Sequence, residues 1–87
     1  MVKRSKIYKK ALSGSKNIRF DEFVMLLEGF GFVFRRITGS HRIFKHPDVP
    51  QTFSAQPDKN GQTKPYQIRK LLKMVEEHSL SLKEDDA

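Results

Sequence analysis

The sequence contains no cysteine, and it has no run of apolar residues long enough to cross a membrane. The lack of cysteine excludes disulfide bonds, iron–sulfur clusters and thiolate zinc sites. The basic start of the chain, residues 1–6, has no apolar stretch behind it and so does not fit a secretory signal. We therefore expect a cytoplasmic protein with no membrane partner.

The chain is also short, with 87 residues and a mass of 10.1 kDa. Single domains commonly contain about 100–150 residues, so this length allows one small domain. Hydrophobic residues make up 37% of the chain and the mean hydropathy is −0.61. These values are typical of a soluble domain with one modest core and a polar surface.

Acidic residues are scarce relative to basic ones: ten Asp and Glu stand against 17 Lys and Arg, which gives a net charge of +7. The excess lies in the first 45 residues, which contain eleven basic and three acidic side chains. This distribution favours a polyanionic partner, most often nucleic acid, over a basic surface that only maintains solubility.

Apolar residues at helical spacing predict three helices. The first lies within residues 1–17, with Ser5 as its N-cap, and the second covers residues 21–30, with Asp21 at its start and Gly31 as its stop. Pro65 suits the first position of the last helix. The apolar positions are Ile7, Tyr8, Ala11 and Leu12 in the first pattern, Phe23, Leu26, Leu27 and Phe30 in the second, and Ile68, Leu71, Leu72 and Val75 in the third.

Between the second and third helices the apolar residues alternate, which predicts strands. Residues 32–37 and 41–45 form the first two strands, and the turn residues around Gly39 and Ser40 join them as a hairpin. Pro47 and Pro50 predict a loop through residues 46–51, and a short third strand follows over residues 52–56.

This order predicts an α+β fold, α-β-β-β-α, preceded by the short N-terminal helix. Because each main helix has one apolar stripe, both should pack on one face of a three-stranded antiparallel sheet and leave the other face open. The chain then divides into a basic N-terminal extension (1–17), the domain (18–78) and a polar C-terminal tail (79–87), which we expect to be disordered.

The hairpin segment 35–47 contains four cationic side chains and two histidines but no acidic residue. Lys and Arg can neutralise phosphates, and a Gly-Ser turn leaves backbone N–H groups free to approach an anion. His41 lies in the middle of this segment, and an imidazole there can move a proton near neutral pH. The alternative is that His41 only packs or forms a hydrogen bond at a strand end. A metal site is not expected, because His41 and His46 fall on opposite faces of a strand.

Residues 39–47, read as Gly-Ser-His-Arg-Ile-Phe-Lys-His-Pro, resemble the Gly-Ser-His-x-x-Phe-x-His-Pro signature of HicA toxins. These are small mRNA interferases of bacterial toxin–antitoxin pairs. The resemblance extends to residues 29–32 before the hairpin, and to Gln56-Pro57, Gly61 and residues 64–69 after it, and it covers residues 18–76. Two features depart from the family: Arg42 stands where many members have a second histidine, and residues 1–17 are longer than the family minimum.

The resemblance implies a fold like that of double-stranded-RNA-binding domains and metal-independent cleavage of mRNA, with His41 at the catalytic position and no cofactor. It also implies a HicB-like antitoxin as protein partner, and we expect the free chain to be a monomer or a weak dimer. On this interpretation the RNA-binding residues are Arg35, Arg36, Gly39, Ser40, Arg42, Lys45 and Lys64.

Two other interpretations remain open from the sequence. The same basic face could belong to a non-catalytic RNA-binding module, since folds of this type bind double-stranded RNA by shape and phosphate contacts. An adaptor whose open sheet face pairs with a protein partner is the third. RNA cleavage in excess EDTA, compared with a His41→Ala variant, separates the enzyme from both.

Overall fold

The structure, a computed structural model, describes residues 3–14 and 17–83. Its strands form one antiparallel sheet in the order β1-β2-β3. This arrangement confirms the α+β class and the order α-β-β-β-α after a short first helix. The elements are α1 (Arg4–Leu12), α2 (Phe20–Gly29), β1 (Val33–Thr38), β2 (His41–His46), β3 (Val49–Ala55) and α3 (Pro65–Glu77).

The core lies between the sheet and the two main helices. Phe53 of β3 packs against Phe23 of α2, with ring centroids 5.7 Å apart, and the ammonium of Lys70 in α3 lies 5.4 Å from the same ring. Both helices therefore cover one face of the sheet, here called the helix face. The predicted apolar stripes of α2 and α3 are buried, except for Leu72, which is half-buried. In α1, Tyr8 is half-buried and Leu12 is 59% exposed, so the stripe predicted there is wrong at Leu12.

Helix α1 is part of the core. Ile7 and Ala11 are buried, and Tyr8 packs edge-on against Phe30, the C-cap of α2, at 5.2 Å between ring centroids. The predicted N-cap is wrong, because Lys3 occupies that position and Ser5 lies inside the helix. The predicted N-terminal extension, residues 1–17, therefore includes a helix that packs on one side of the core.

The start of α2 also differs from the prediction. Its N-cap is Arg19, two residues before Asp21, because the helix begins at the buried Phe20. The Arg19 backbone N–H donates to Glu22 Oε1 at 3.0 Å, which satisfies the amide just before the helix. Asp21 and Glu22 lie in the first turn, where negative charge favours the helix dipole.

The predicted loop through residues 46–51 is wrong. Strand β2 continues to His46, a turn at Pro47 and Asp48 follows, and His46 pairs with Val49 at the start of β3. The pairing shifts between Phe44 and His46, and β3 is an edge strand, so Pro50 is tolerated without its amide hydrogen.

The buried His46 imidazole holds this turn in place. Its Nε2 lies 2.9 Å from the Phe30 carbonyl oxygen, and its Nδ1 accepts the Asp48 backbone N–H at 2.9 Å. The first bond needs a hydrogen on Nε2 and the second a lone pair on Nδ1, so the ring is the neutral Nε2–H tautomer. Gly31 lies against Nε2 with φ +98°, where a Cβ would come within 2.8 Å of that nitrogen.

The chain after α3 returns to the core, so the prediction of a disordered tail is wrong for residues 79–83. Leu80 and Leu82 pack against the core, and the Lys83 backbone N–H donates to the Gly29 carbonyl at 2.8 Å. Arg4 of α1 donates to the Lys83 carbonyl at 3.2 Å. Two half-buried leucines and these hydrogen bonds thus hold the segment against the core. Residues 84–87 lie outside the described residues.

Candidate functional site

The β1–β2 hairpin closes through a two-residue turn, Gly39-Ser40. Gly39 has φ +60° whereas Ser40 has a negative φ, which is the pattern of a type II′ turn. A Cβ at Gly39 would meet no atom within 4 Å, so the turn stands clear of the rest of the molecule. Thr38 and His41 pair directly across it. The turn therefore presents its backbone and His41 to solvent.

His41 points away from the helices, onto what we call the open face. Along β2, His41, Ile43 and Lys45 alternate with residues of the helix face. The register places Arg36 beside Ile43 and Thr38 beside His41 on the same face. The residues that the register assigns to this face include no carboxylate, so His41 lies in a locally cationic surface.

A β-bulge concentrates positive charge beside this face. The register jumps from Phe34 to Arg36 while β2 advances by one residue, so Arg35 and Arg36 together oppose Ile43. Both arginines are exposed, as is Lys45. Lys45 lies about 13 Å along the strand from His41, at roughly 3.3 Å per residue. An extended polyanion could therefore contact the arginines, His41 and Lys45 together.

The His41 ring is held by Ser54 of β3. The His41 Nδ1 and the Ser54 Oγ lie 2.9 Å apart, and Ser54 pairs with Ile43, the neighbour of His41 on the open face. The bond engages Nδ1 and leaves Nε2 for a ligand. Sequence reasoning missed Ser54; the alternation of residues 52–56 put it on a predictable face, but the register that brings it to His41 is a tertiary property.

A chain of amide hydrogen bonds joins the turn to α3. Gln67, 1% exposed, accepts the Gln56 backbone N–H at Oε1 (3.1 Å) and donates from Nε2 to the Gln56 carbonyl (3.0 Å). The Gln56 side chain in turn donates to Ser40 Oγ at 2.9 Å. We call these three residues the glutamine relay. It anchors the residue before His41 to a buried position of the core. The resemblance included all three residues, but no sequence signal pointed to the contacts between them.

The structure separates Arg42 from the other predicted RNA-binding residues. Its guanidinium lies 5.2 Å from the Phe20 ring centroid on the helix face, opposite His41. Lys64 is the half-buried N-cap of α3, three residues before Gln67. The hairpin itself brings together Arg35, Arg36, Gly39, Ser40 and Lys45.

His46 stands apart from the site, since it is buried on the helix face and packs edge-on against Phe32 at 5.1 Å. Within the described residues, no group of three or more His, Asp or Glu side chains is arranged to hold a metal ion. No helix in the same part of the chain is long and apolar enough to cross a membrane. Among the described residues, the side chains hydrogen-bonded to His41 and its turn are the Ser54 hydroxyl and the Gln56 amide.

Residues 20–76, which run from α2 through the hairpin to α3, match the family described as HicA toxin of bacterial toxin-antitoxin. The chain belongs to the HicA toxin family. No curated protein matches the chain, and no solved structure does. The HicA match includes His41, Ser54 and the glutamine relay, whereas α1 and the segment after α3 lie outside it. Membership places the protein among the toxins of toxin–antitoxin systems.

Proposed function

We propose that this protein is an endoribonuclease, a HicA toxin that cleaves cytoplasmic mRNA without a metal ion, with His41 as its catalytic residue. The observation that carries the proposal is the setting of His41: it is exposed on a face to which the three strands contribute no carboxylate, its Nδ1 is fixed by Ser54, and its Nε2 is available. A histidine held through one nitrogen by a hydroxyl has a defined direction for proton transfer through the other.

The reaction needs a proton removed from a ribose 2′-hydroxyl. In the proposed step Nε2 of His41 takes that proton while the 2′-oxygen bonds to the adjacent phosphorus and the bond to the 5′-oxygen breaks. The leaving 5′-oxygen takes a proton from solvent water, and His41 then releases to solvent the proton that it accepted. The products are a 2′,3′-cyclic phosphate and a 5′-hydroxyl. The free N–H groups of the Gly39-Ser40 turn and the nearby guanidiniums stabilise the negative charge that develops on the phosphoryl oxygens.

RNA binding is assigned to the cationic side chains around the hairpin. Arg35, Arg36 and Lys45 neutralise phosphates on the His41 side of the sheet, while Gly39 and Ser40 position the scissile phosphate. Arg42 and Lys64 complete the set predicted from the sequence, but Arg42 would have to reach RNA from the helix face. We therefore expect the open-face cations to contribute most of the affinity.

The test is cleavage of single-stranded RNA by the purified chain in excess EDTA. His41→Ala should abolish detectable cleavage, because general acid–base catalysis supplies a factor of about 10²–10⁴. His78→Ala, at the C-cap of α3, is the matched control and should cleave like the parent. Substrate with 2′-deoxyribose at the cleavage site should be inert. Parental cleavage by His41→Ala would contradict the proposal.

A non-catalytic RNA-binding module is the second candidate. It is favoured by one observation: the side chains hydrogen-bonded to His41 and its turn belong to serine and glutamine. Neither residue type can act as the general acid that would protonate the leaving 5′-oxygen. In that case the chain would bind RNA, release no product in EDTA, and lose no function in the His41→Ala variant.

A further inference from the structure

Strand β1 has one paired edge and one unpaired edge. It lies at the end of the sheet and, among the described residues, pairs only with β2. All six of its residues are exposed, including three large apolar ones: Val33 at 55%, Phe34 at 46% and Ile37 at 60%. Exposed apolar side chains on an unpaired strand edge are typical of a surface that pairs with another strand.

The helix-face side of this edge is a groove. Phe34 packs edge-on against Phe44 at 5.7 Å, and Ile37 pairs with Arg42, so both apolar side chains project towards α2. With Val24 and Glu28 of α2, and with Arg42 and Phe44 of β2, they line a groove of about 420 Å³. A strand laid beside β1 would direct every second side chain into this groove, where apolar residues fit.

The other side of the edge is cationic, because the bulge exposes Arg35 and Arg36 there. The intervening side chains of an added strand would lie beside these guanidiniums, where carboxylates fit. We propose that β1 is the docking edge for the antitoxin, which adds an extended segment with alternating apolar and acidic residues. The family supplies the class of partner, and the two sides of β1 supply its chemistry.

A second copy of this chain does not fit the same edge. The middle of β1 is Arg35-Arg36, so antiparallel pairing of two copies about that point would set arginines opposite arginines. Like charges directly opposite one another destabilise a strand pair. The two arginines therefore disfavour self-pairing, whereas the carboxylates of an acidic strand would form ion pairs with them.

Docking at β1 would also inhibit the toxin, a consequence that rests on the proposed function. The arginines that we assign to RNA phosphates would be paired with antitoxin carboxylates, and the added strand would run past the hairpin that contains His41. RNA and antitoxin would then compete for Arg35 and Arg36. The docking edge itself does not depend on whether His41 is catalytic.

The experiment measures antitoxin binding by calorimetry, without RNA, using the full chain and its cognate antitoxin. Ile37→Glu places a negative charge in the groove and should weaken binding at least tenfold. Leu12→Glu is the matched control, since Leu12 of α1 is equally exposed at 59%, and its affinity should stay within twofold. Hydrogen exchange should show the amides of β1 protected in the complex, and circular dichroism should confirm that both variants fold.

Parental affinity in Ile37→Glu, or β1 amides that exchange equally fast in the free chain and the complex, would overturn the docking edge. A free chain that sediments as a dimer and becomes monomeric in Ile37→Glu would assign the edge to a second copy instead. None of these measurements uses RNA cleavage, so a failure of the proposed endoribonuclease activity would leave them unchanged. Failure of the docking edge would likewise leave the cleavage test of His41 unchanged.

Discussion

Removing the Ser54 hydroxyl is the most direct test of how the protein positions His41. Among the described residues, the His41 ring has one side-chain partner, Ser54 Oγ, at 2.9 Å from Nδ1. Ser54→Ala deletes this partner and leaves the imidazole in place but free to rotate. Ser54 is half-buried on the open face, away from the core, so the fold should not change.

The size of the effect follows from the bond. A hydrogen bond between neutral side chains contributes about 0.5–1.5 kcal/mol net, and each 1.4 kcal/mol on a barrier is about tenfold in rate. We therefore expect Ser54→Ala to cleave RNA about two- to twelvefold more slowly than the parent. His41→Ala should lose far more, since it removes the group that transfers the proton.

The assay is single-turnover cleavage of a short RNA at saturating enzyme, which reports the chemical step. Ser54→Thr keeps a hydroxyl at the same position and should restore most of the rate. Thr52→Ala removes an exposed hydroxyl from the same strand and should have no effect. A parental rate in Ser54→Ala, or a loss as complete as that of His41→Ala, would refute the idea that Ser54 only orients the ring.

Three further predictions concern the supports around the site. Gly31→Ala should destabilise the protein by about 2–4 kcal/mol, because the alanine would have a strained φ and would clash with the hydrogen-bonded His46 ring. Gly61→Ala, at φ +76° with nothing within 4 Å, should cost only about 1 kcal/mol. Equal losses of unfolding free energy in urea would contradict this. Gln56→Ala should slow RNA cleavage a few-fold and leave the stability unchanged. Gln67→Leu should slow cleavage and also lower the unfolding free energy by about 1–3 kcal/mol, because it leaves the backbone N–H and carbonyl of Gln56 unpaired. Arg36→Glu should flatten the plot of log RNA affinity against log salt concentration by more than one phosphate contact, each of which contributes about 0.7 to the slope. Arg42→Glu, on the opposite face, should change this slope less. The reverse order would assign RNA to the helix face.

The elements that could be predicted are those set by local physics. The switch from helical spacing to alternation separates α2 from β1, Pro65 begins α3, and the positive φ of Gly31 and Gly39 marks the stop and the turn. Alternation along β2 also places His41 and Arg42 on opposite faces, so the sequence already contained the signal that separates them. The local predictions that were wrong are the N-caps at Ser5 and Asp21 and the loop through residues 46–51, where β2 extends to His46 and β3 begins at Val49.

The sequence alone, through composition, periodicity and the Gly-Ser-His segment, determined the α-β-β-β-α order, the basic hairpin and His41 as the candidate residue. Only the tertiary structure decided what surrounds that residue. Strand register brings Ser54 to the His41 ring, a buried Gln67 reaches the turn through Gln56, and the bulge sets Arg35 and Arg36 opposite Ile43. These contacts join residues 11 to 16 positions apart in the chain. Local propensity acts only over a few neighbours, so such pairs are fixed when the core packs and the strands choose their register.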